Sequence, residues 1–330
     1  PMDQYDFVAI GDIVTDAFIR LADPHIHANV DRENRELCMS FGDKIPYEDV
    51  YVVPAVGNSP NAAVSAARLG LKTALVTNLG GDFFGKECLD ALVKNGVSTE
   101  FVKTHPGIKT NYHYVLWYQD DRTILIKHEK YPYEMPDIRN PKWIYLSSLG
   151  EHSLEFHDAL AKYLEDHPDV KLAFQPGTFQ MKFGTERMAT FYKRSEIFFC
   201  NKEESQRILG TEEGDIKKLL AGIHDLGPKI VVITDGPVGA YAFADGKYWF
   251  MRPYPDPKPP LQRTGAGDAF SSTVTVALAL GKELPEALRW GPVNSMSVVQ
   301  GIGAQAGLLD RARLEGYLAQ APEDYQPKEL

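Results

Sequence analysis

The chain has 330 residues, 44% of them hydrophobic and 24% charged, a globular composition that argues against a disordered, collagenous or coiled-coil protein. Its 45 acidic and 35 basic side chains give a formal net charge of -10, with no Lys/Arg run long enough to form a basic stripe, so neither nucleic acid nor a membrane surface is its expected partner. The length suits one large α/β domain with an appendage, or about two units of ~150 residues, and a core of that size needs no covalent staples.

Phe7 to Ile10 is a short apolar run ending at Gly11-Asp12, and reads as a buried strand feeding a loop. Residues 17–21 and 50–54 are β-prone pieces around the polar stretch from Asp31 to Asp49. Pro60 to Leu69 reads as a helix with Asn58 or Ser59 as N-cap and Gly70 as its stop. Lys72 to Thr77 reads as a strand ended by Gly80-Gly81, and Phe84 to Lys94 as a helix closed by Gly96. Tyr112 to Tyr118 and Thr123 to His128 flank Gln119-Asp120-Asp121-Arg122 as an antiparallel hairpin. Beyond it, predicted strands at 142–147, 170–174, 196–200 and 229–234 alternate with helical patterns at 153–166, 185–194 and 214–226. That rhythm implies a mostly parallel sheet covered on both faces. A second hairpin, 240–244 with 248–252, turns at Asp245-Gly246. Helices follow at 266–280, 285–300 and 310–319, and the last ten residues are expected to be loose. The prediction is a single α/β domain over 1–330. Pieces from about 17–54 and 112–128 form a small separate β-sheet that can cover a ligand cleft.

Cys38, Cys88 and Cys200 are far apart, with no CxxC and no accompanying His cluster. They predict neither a disulfide framework nor a zinc site, and point to the cytoplasm. The N-terminus lacks the pattern of a signal peptide, and no apolar run reaches the ~20 residues that span a bilayer.

Two stretches carry chemistry. In Arg263-Thr264-Gly265-Ala266-Gly267-Asp268, two glycines bracket an alanine at the start of a long helical pattern. Glycine lets a ligand approach the backbone, and a helix N-terminus offers unpaired N–H groups and partial positive charge. Together they suit a phosphoryl group in transfer, and Asp268 in the first turn can take a proton from an attacking hydroxyl. In a loose transition state that proton leaves late, so orientation can matter more than basicity. The tetrad equally suits a Gly-rich turn with Asp as a dipole partner. The second stretch, Val56-Gly57-Asn58-Ser59-Pro60-Asn61 continuing to Arg68-Leu69-Gly70, is a loop entering a helix lined by small residues. Asn61 offers a donor and an acceptor to a polyol, or these residues simply cap and pack the helix.

These two stretches resemble the two signatures of the PfkB, or ribokinase-like, carbohydrate kinases. Further landmarks keep the family's order over about residues 5 to 310. They are Gly11-Asp12-Ile13-Val14-Thr15-Asp16, Gly80-Gly81-Asp82-Phe83-Phe84-Gly85, Asn201-Lys202-Glu203-Glu204 and Thr234-Asp235-Gly236-Pro237-Val238-Gly239. The resemblance implies a three-layer ribokinase-like fold and ATP-dependent phosphorylation of a hydroxymethyl group on a small sugar, such as ribose or fructose. It implies Asp268 as base and Gly265, Ala266 and Gly267 as anion hole, with Asp16, Gly57 and Asn61 on the substrate hydroxyls. Asn201, Thr234, Gly236 and Gly239 fall at ATP-binding positions, and Asn294 on a late helix where family members contact adenine. Glu204 falls in a motif that positions Mg²⁺, partly through water, in keeping with the few protein ligands that ion takes. Asn201 is also simply a good N-cap.

Val56 replaces the first glycine of the first signature, and Phe83 a frequent Asp. Gln262 stands where the second signature usually begins with Asp, in a loop often associated with a monovalent cation. A neutral Gln weakens the case for K⁺ activation without removing it, since such sites also use backbone carbonyls. Alternation puts Tyr112 and Tyr114 on one face of the first hairpin and His113 and Val115 on the other. Its aromatics suit closure over a sugar, stacking on the base of a nucleoside, packing within the small sheet or a homodimer interface. Arg122, Lys127, His128 and Lys130 suit a phosphosugar or a solvated turn. A nucleoside kinase of the same fold is therefore the alternative. A dinucleotide oxidoreductase would need Gly-x-Gly-x-x-Gly after the first strand, which Gly11-Asp12-Ile13 lacks. A non-catalytic sensor would have lost the base or the anion hole, and both are present.

Overall fold

The computed structural model describes residues 4–22, the backbone of 27–28, and residues 36–119 and 121–330. In chain order the elements begin with β1 (Phe7–Ile10), β2 (Val14–Leu21), β3 (His27–Ala28), β4 (Leu37–Cys38), β5 (Tyr47–Val56), α1 (Asn58–Arg68), β6 (Thr73–Gly80) and α2 (Phe83–Lys94). Next come β7 (Val102–His105), β8 (Tyr112–Tyr118), β9 (Asp121–Leu125), β10 (Trp143–Leu146), α3 (Leu154–Asp166), β11 (Lys171–Phe174), α4 (Thr178–Phe183), α5 (Ala189–Arg194) and β12 (Ser195–Asn201). The chain finishes with α6 (Lys202–Leu209), α7 (Ile216–Asp225), β13 (Ile230–Thr234), β14 (Ala240–Ala244), β15 (Lys247–Met251), α8 (Ala266–Ala279), α9 (Leu284–Val298), α10 (Arg311–Ala319) and β16 (Lys328–Glu329).

Among the described residues, ten strands form one sheet in the order β16-β15-β14-β13-β12-β11-β10-β1-β6-β7. From β13 to β7 all neighbours are parallel, and β14, β15 and β16 extend the edge antiparallel. The continuous apolar run of β1 divides by parity. Phe7 and Ala9 join the core under α1, α8 and α9, while Val8 and Ile10 join the opposite core under α3, α5 and α7. Burial on both faces is why such strands read as unbroken apolar runs.

A second sheet, in the order β5-β2-β8-β9, stands apart. Its β2 and β5 pair antiparallel, β2 and β8 parallel, and β8 and β9 antiparallel. A separate small sheet was expected, but its second hairpin strand is Asp121–Leu125 and not 123–128, because Asp121 and Arg122 pair with Tyr118 and Trp117 instead of forming the turn. Positions 23–26 and 29–35 of the 17–54 range, and Asp120, lie outside the described residues. No helix among the described residues is long and apolar enough to cross a membrane.

Four further expectations need correction. Neither Asn58 nor Ser59 caps α1. Gly57 is its N-cap, at φ 130°, while Ser59 Oγ donates to Ile10 O at 2.7 Å and Asn58 turns to the cleft. The chain end is not loose throughout, because Lys328–Glu329 pairs with β15. Fully buried Tyr325 anchors it, its hydroxyl donating to Arg289 O at 2.6 Å. Strand β7 was not anticipated. Its pattern is half-buried to exposed, so it lacks the apolar run that marks the interior strands. Helix α5 is shorter than the predicted 185–194, and α4 precedes it as a separate turn of helix ended by Gly184.

Candidate active site

In an open, mostly parallel sheet, ligands bind beyond the carboxyl ends of the strands, where the strand order reverses direction. Here the chain steps from β1 outward to β6 and β7, then returns to β10 on the other side of β1. A cleft of about 640 Å³ opens at those strand ends. Asp12 follows β1, Ser148 follows β10, Gln175 follows β11, Asn201 ends β12 and Thr234 ends β13, and all five line it. The small sheet supplies Asp16, His113, Arg122 and Ile124 to its other wall.

The head of α8 projects into this cleft. Gly265 is the helix N-cap in the left-handed conformation, φ 82°. A Cβ there would lie 2.5 Å from Ala304 Cβ, so the turn is pressed directly against the 304 backbone. Gly267 faces open space, and both glycines line the cleft. Ala266 is the first helical residue, and its carbonyl accepts from Ser295 Oγ at 2.7 Å.

Asp268 follows in the first turn, only 9% exposed. Three side-chain amides hold its carboxylate. Asn58 Nδ2 donates to Oδ1 at 2.8 Å, Gln175 Nε2 to Oδ1 at 3.1 Å, and Asn61 Nδ2 to Oδ2 at 2.9 Å. A carboxylate has about four lone-pair sites, so one on Oδ2 remains for another donor. Asn61 is itself fixed, because its Oδ1 accepts from Gln305 Nε2 at 2.9 Å. Both ends of its amide are engaged, so in this structure it orients Asp268. Gly57 approaches the β1 loop closely, and a Cβ there would sit 2.6 Å from Asp12 O.

On the opposite side, Asn201 and Glu204 form a reciprocal cap of α6. Glu204 N–H donates to Asn201 Oδ1 at 2.8 Å, and Asn201 N–H to Glu204 Oε2 at 2.9 Å. Both also line the cleft. Burial, with the neighbouring Asp268 charge as a smaller contribution, raises the pKa of Glu204.

Residues 28–311 match the model of the pfkB family carbohydrate kinases. The chain belongs to this family. It is therefore a phosphotransferase with an alcohol acceptor, and its fold is ribokinase-like. It is similar to the ribokinase of Bacillus subtilis, 29% identical over 271 residues that cover 80% of this chain and 87% of the relative. It is similar also to the cytidine kinase of Thermococcus kodakarensis, 29% identical over 254 residues that cover 74% and 87%. Among solved structures, Arabidopsis thaliana ribokinase complexed with ribose and ATP superposes with a TM-score of 0.80 at 24% identity, covering 96% of this chain and 99% of that one.

Not every pfkB signature position reaches the cleft. Asn294 is fully buried, donating to Thr273 Oγ1 at 2.9 Å and accepting from Leu309 N–H at 3.0 Å. It ties α9 to α8 and to the 309 backbone, so it is not exposed to contact adenine. Gly236 and Gly239 lie outside the lining too. Gly239, at φ 135°, makes room for Met251 O, which a Cβ would meet at 2.5 Å. Tyr112 and Tyr114 turn away from the cleft. Tyr112 packs on Phe84 with ring centroids 4.7 Å apart, and Tyr114 packs on Tyr112 at 5.1 Å.

Sequence reasoning missed several residues that do line the kinase cleft. Asp12 accepts from Tyr133 Oη at 2.9 Å, and burial pushes its pKa up to about 7. His113 faces Asp16, its Nδ1 3.8 Å from Oδ1, and its buried Nε2 has no partner among the described residues. Burial, with His128 beside it, drives the His113 pKa down to about 4, so the ring is neutral at pH 7. Asp16 is pushed up to about 6 by burial, against the pull of the Arg122 charge.

Proposed function

We propose that this kinase transfers the γ-phosphoryl group of ATP to a hydroxymethyl group of a small sugar in the cleft between the two sheets. The observation that carries the reading is the amide-held carboxylate of Asp268 at the mouth of α8, beside Gly265 and Gly267. Its open Oδ2 lone pair receives the acceptor hydroxyl, holds it towards the phosphorus and takes its proton as the O–P bond forms. The N–H groups at the α8 head receive the charge that accumulates on the phosphoryl oxygens. Asp16 accepts from neighbouring sugar hydroxyls, and Gly57, drawn close to Asp12 O, lines the cleft beside them. Thr234 and Asn201 face the nucleotide side.

Glu204 fits a magnesium ion that arrives with the nucleotide. Its carboxylate is partly withdrawn from water beside Asp268, the Arg207 charge opposes that effect without a hydrogen bond to it, and it lines the cleft, so it can take a divalent cation. Among the described residues no group of three His, Cys, Asp or Glu side chains could hold a metal, so phosphate oxygens and water would supply most of the ligands. The ion would draw charge from the phosphates during transfer.

The small sheet acts as a lid over the single domain. Closing it removes water that would otherwise compete as acceptor. Its inner wall supports a nucleoside as the second reading, because Ile124, Ile126, His113 and His128 line the acceptor side and Phe179 packs on His128. Arg122 at the same wall suits a phosphosugar. An ATP-consumption screen across free sugars, phosphosugars and nucleosides separates these substrates. Turnover with none of them would overturn the reading. The three cysteines are free, as suits a cytoplasmic enzyme.

Two outcomes follow from the same wall and its back. Asp16 grips hydroxyls only when ionised, so the KM for the acceptor should rise about tenfold per pH unit as the pH falls below about 6. The KM for ATP should stay flat. Asp16→Asn should raise the acceptor KM and erase this limb, whereas Asp12→Asn should leave it in place; steady-state kinetics from pH 5 to 8 check both.

The register places Val50, Val52, Tyr114 and Leu125 together on the outer face of the small sheet, each between 42% and 53% exposed. An apolar face of this kind suits a second copy of the chain. Light scattering should report a homodimer, converted to a folded monomer by Leu125→Arg. A wild-type monomer at micromolar concentration would contradict it.

A further inference from the structure

The turn from Leu261 to Thr264 runs straight into the head of α8 and lies against the turn that follows α9. Leu261 N–H donates to Val299 O at 2.8 Å, and Gly265 abuts Ala304. Between the two turns sits Gln262, 5% exposed. Its Nε2 donates to Gly301 O at 2.8 Å and to Gly303 O at 3.3 Å, while its Oε1 accepts from Thr264 N–H at 2.5 Å. Only one orientation of the amide satisfies this set. Reversed, its oxygen would face two carbonyl oxygens and its NH₂ an N–H.

A monovalent cation bridging these turns would need carbonyl oxygens in place of its hydration shell. Here Gly301 O and Gly303 O already accept N–H donors, and position 262 offers no carboxylate. Thr264 Oγ1 and Gln300 Oε1 are buried without a partner among the described residues, but the Gln300 amide is held by its own Nε2 on Lys258 O at 3.0 Å, and two neutral side-chain oxygens beside the Gln262 NH₂ do not make a cation site. The residues present therefore do not fit the potassium ion that the second signature suggests.

We propose that the Gln262 carboxamide is a built-in replacement for that cation, joining the two turns by neutral hydrogen bonds so that the kinase works without potassium. The bridge reaches both halves of the site. On one side it holds the turn that presents Gly265. On the other it holds the turn carrying Gln305, whose Nε2 donates to Ala55 O at 2.7 Å and to Asn61 Oδ1 at 2.9 Å. Asn61 in turn holds Asp268. Gln262 is thus a positioning residue for base and anion hole alike.

This inference rests on the kinase reading, and its test begins with a readout that needs no acceptor. The rise in thermal midpoint caused by MgADP is measured in KCl, NaCl and choline chloride at equal ionic strength, followed by kcat with the acceptor found in the screen. The rise should be the same in all three salts, and kcat should agree within about twofold. A saturable stimulation of kcat by potassium of about tenfold or more, or a nucleotide shift seen only with potassium, would overturn the proposal. No nucleotide shift in any salt would overturn the kinase reading and the proposal with it. Gln262→Asp sets a carboxylate against the same carbonyls. It should lose kcat in choline, with KM for ATP little changed, and recover about tenfold in potassium. Equal activity of that variant in all three salts would show that the turns need no bridge. If the variant does not fold, the wild-type salt series decides alone.

Discussion

Asp268→Asn should fold, bind nucleotide as the wild type does, and lose about 10³-fold or more in kcat, at the upper part of the range for a positioned general base. The surroundings of the carboxylate explain why the fold survives. Three amides donate to it, and an asparagine keeps one acceptor oxygen for the two that meet at Oδ1. Its new NH₂ faces the amide of Asn61, which leaves one donor–donor contact at a cost of about 1–3 kcal/mol. What disappears is the open lone pair on Oδ2. The substituted amide donates there, so it turns the acceptor hydroxyl's hydrogen away instead of drawing it in. Asn58→Ala serves as the orientation control. It removes one of the two donors to Oδ1 and leaves the base, so it should cost about tenfold in kcat. Single-turnover rates and a calorimetric nucleotide affinity check both variants. Turnover of Asp268→Asn within tenfold of wild type would end the assignment of Asp268 as base.

The parts of this site that were legible in the sequence are those contained in one short segment. Gly265, Gly267 and Asp268 are adjacent in the chain, and a helix start fixes their mutual geometry whatever the tertiary context. The strand–helix alternation was legible for a similar reason, since a strand buried on both faces must be an apolar run. What holds Asp268 was not legible. Asn58 opens α1, Gln175 follows β11, and Gln305, which holds Asn61, lies beyond α9; they are 210, 93 and 37 residues from Asp268 in sequence. A polar residue straight after a buried strand, as Gln175 is after β11, was the available signal.

The small sheet shows the limit of pattern in another way. Alternation correctly separated Tyr112 and Tyr114 from His113 and Val115, but which face met the cleft depended on the pairing of β8 with β2. The register opposite Asp16 puts His113 inside and sends the tyrosines to Phe84. Asn294 is a related case. It lies on α9, on the helix face that meets α8, and is buried there.

Gly265→Ala and Gly267→Ala should both disable the enzyme, by different routes. At 265 the backbone is left-handed, which costs a non-glycine residue roughly 1–2 kcal/mol. The added methyl would also lie 2.5 Å from Ala304 Cβ and 2.7 Å from Ala304 Cα. The turn must then move away from the 304 backbone, carrying the first N–H groups of α8 out of line with the phosphoryl group and straining the Gln262 bridge. Loss of a preorganised donor costs about 10²–10³-fold in kcat, and the thermal midpoint should fall with it. At 267 the added methyl meets nothing within 4 Å and the backbone needs no left-handed turn. The helix should be as stable or slightly more so, since alanine is the better helix former. The open space that the methyl enters is the cleft itself, where the phosphoryl group must come up to the backbone. Gly267→Ala should therefore keep or raise the thermal midpoint while losing kcat about as severely. Thermal denaturation paired with steady-state kinetics separates the two variants. A Gly267→Ala enzyme with full activity would mean that phosphoryl transfer takes place away from the head of α8.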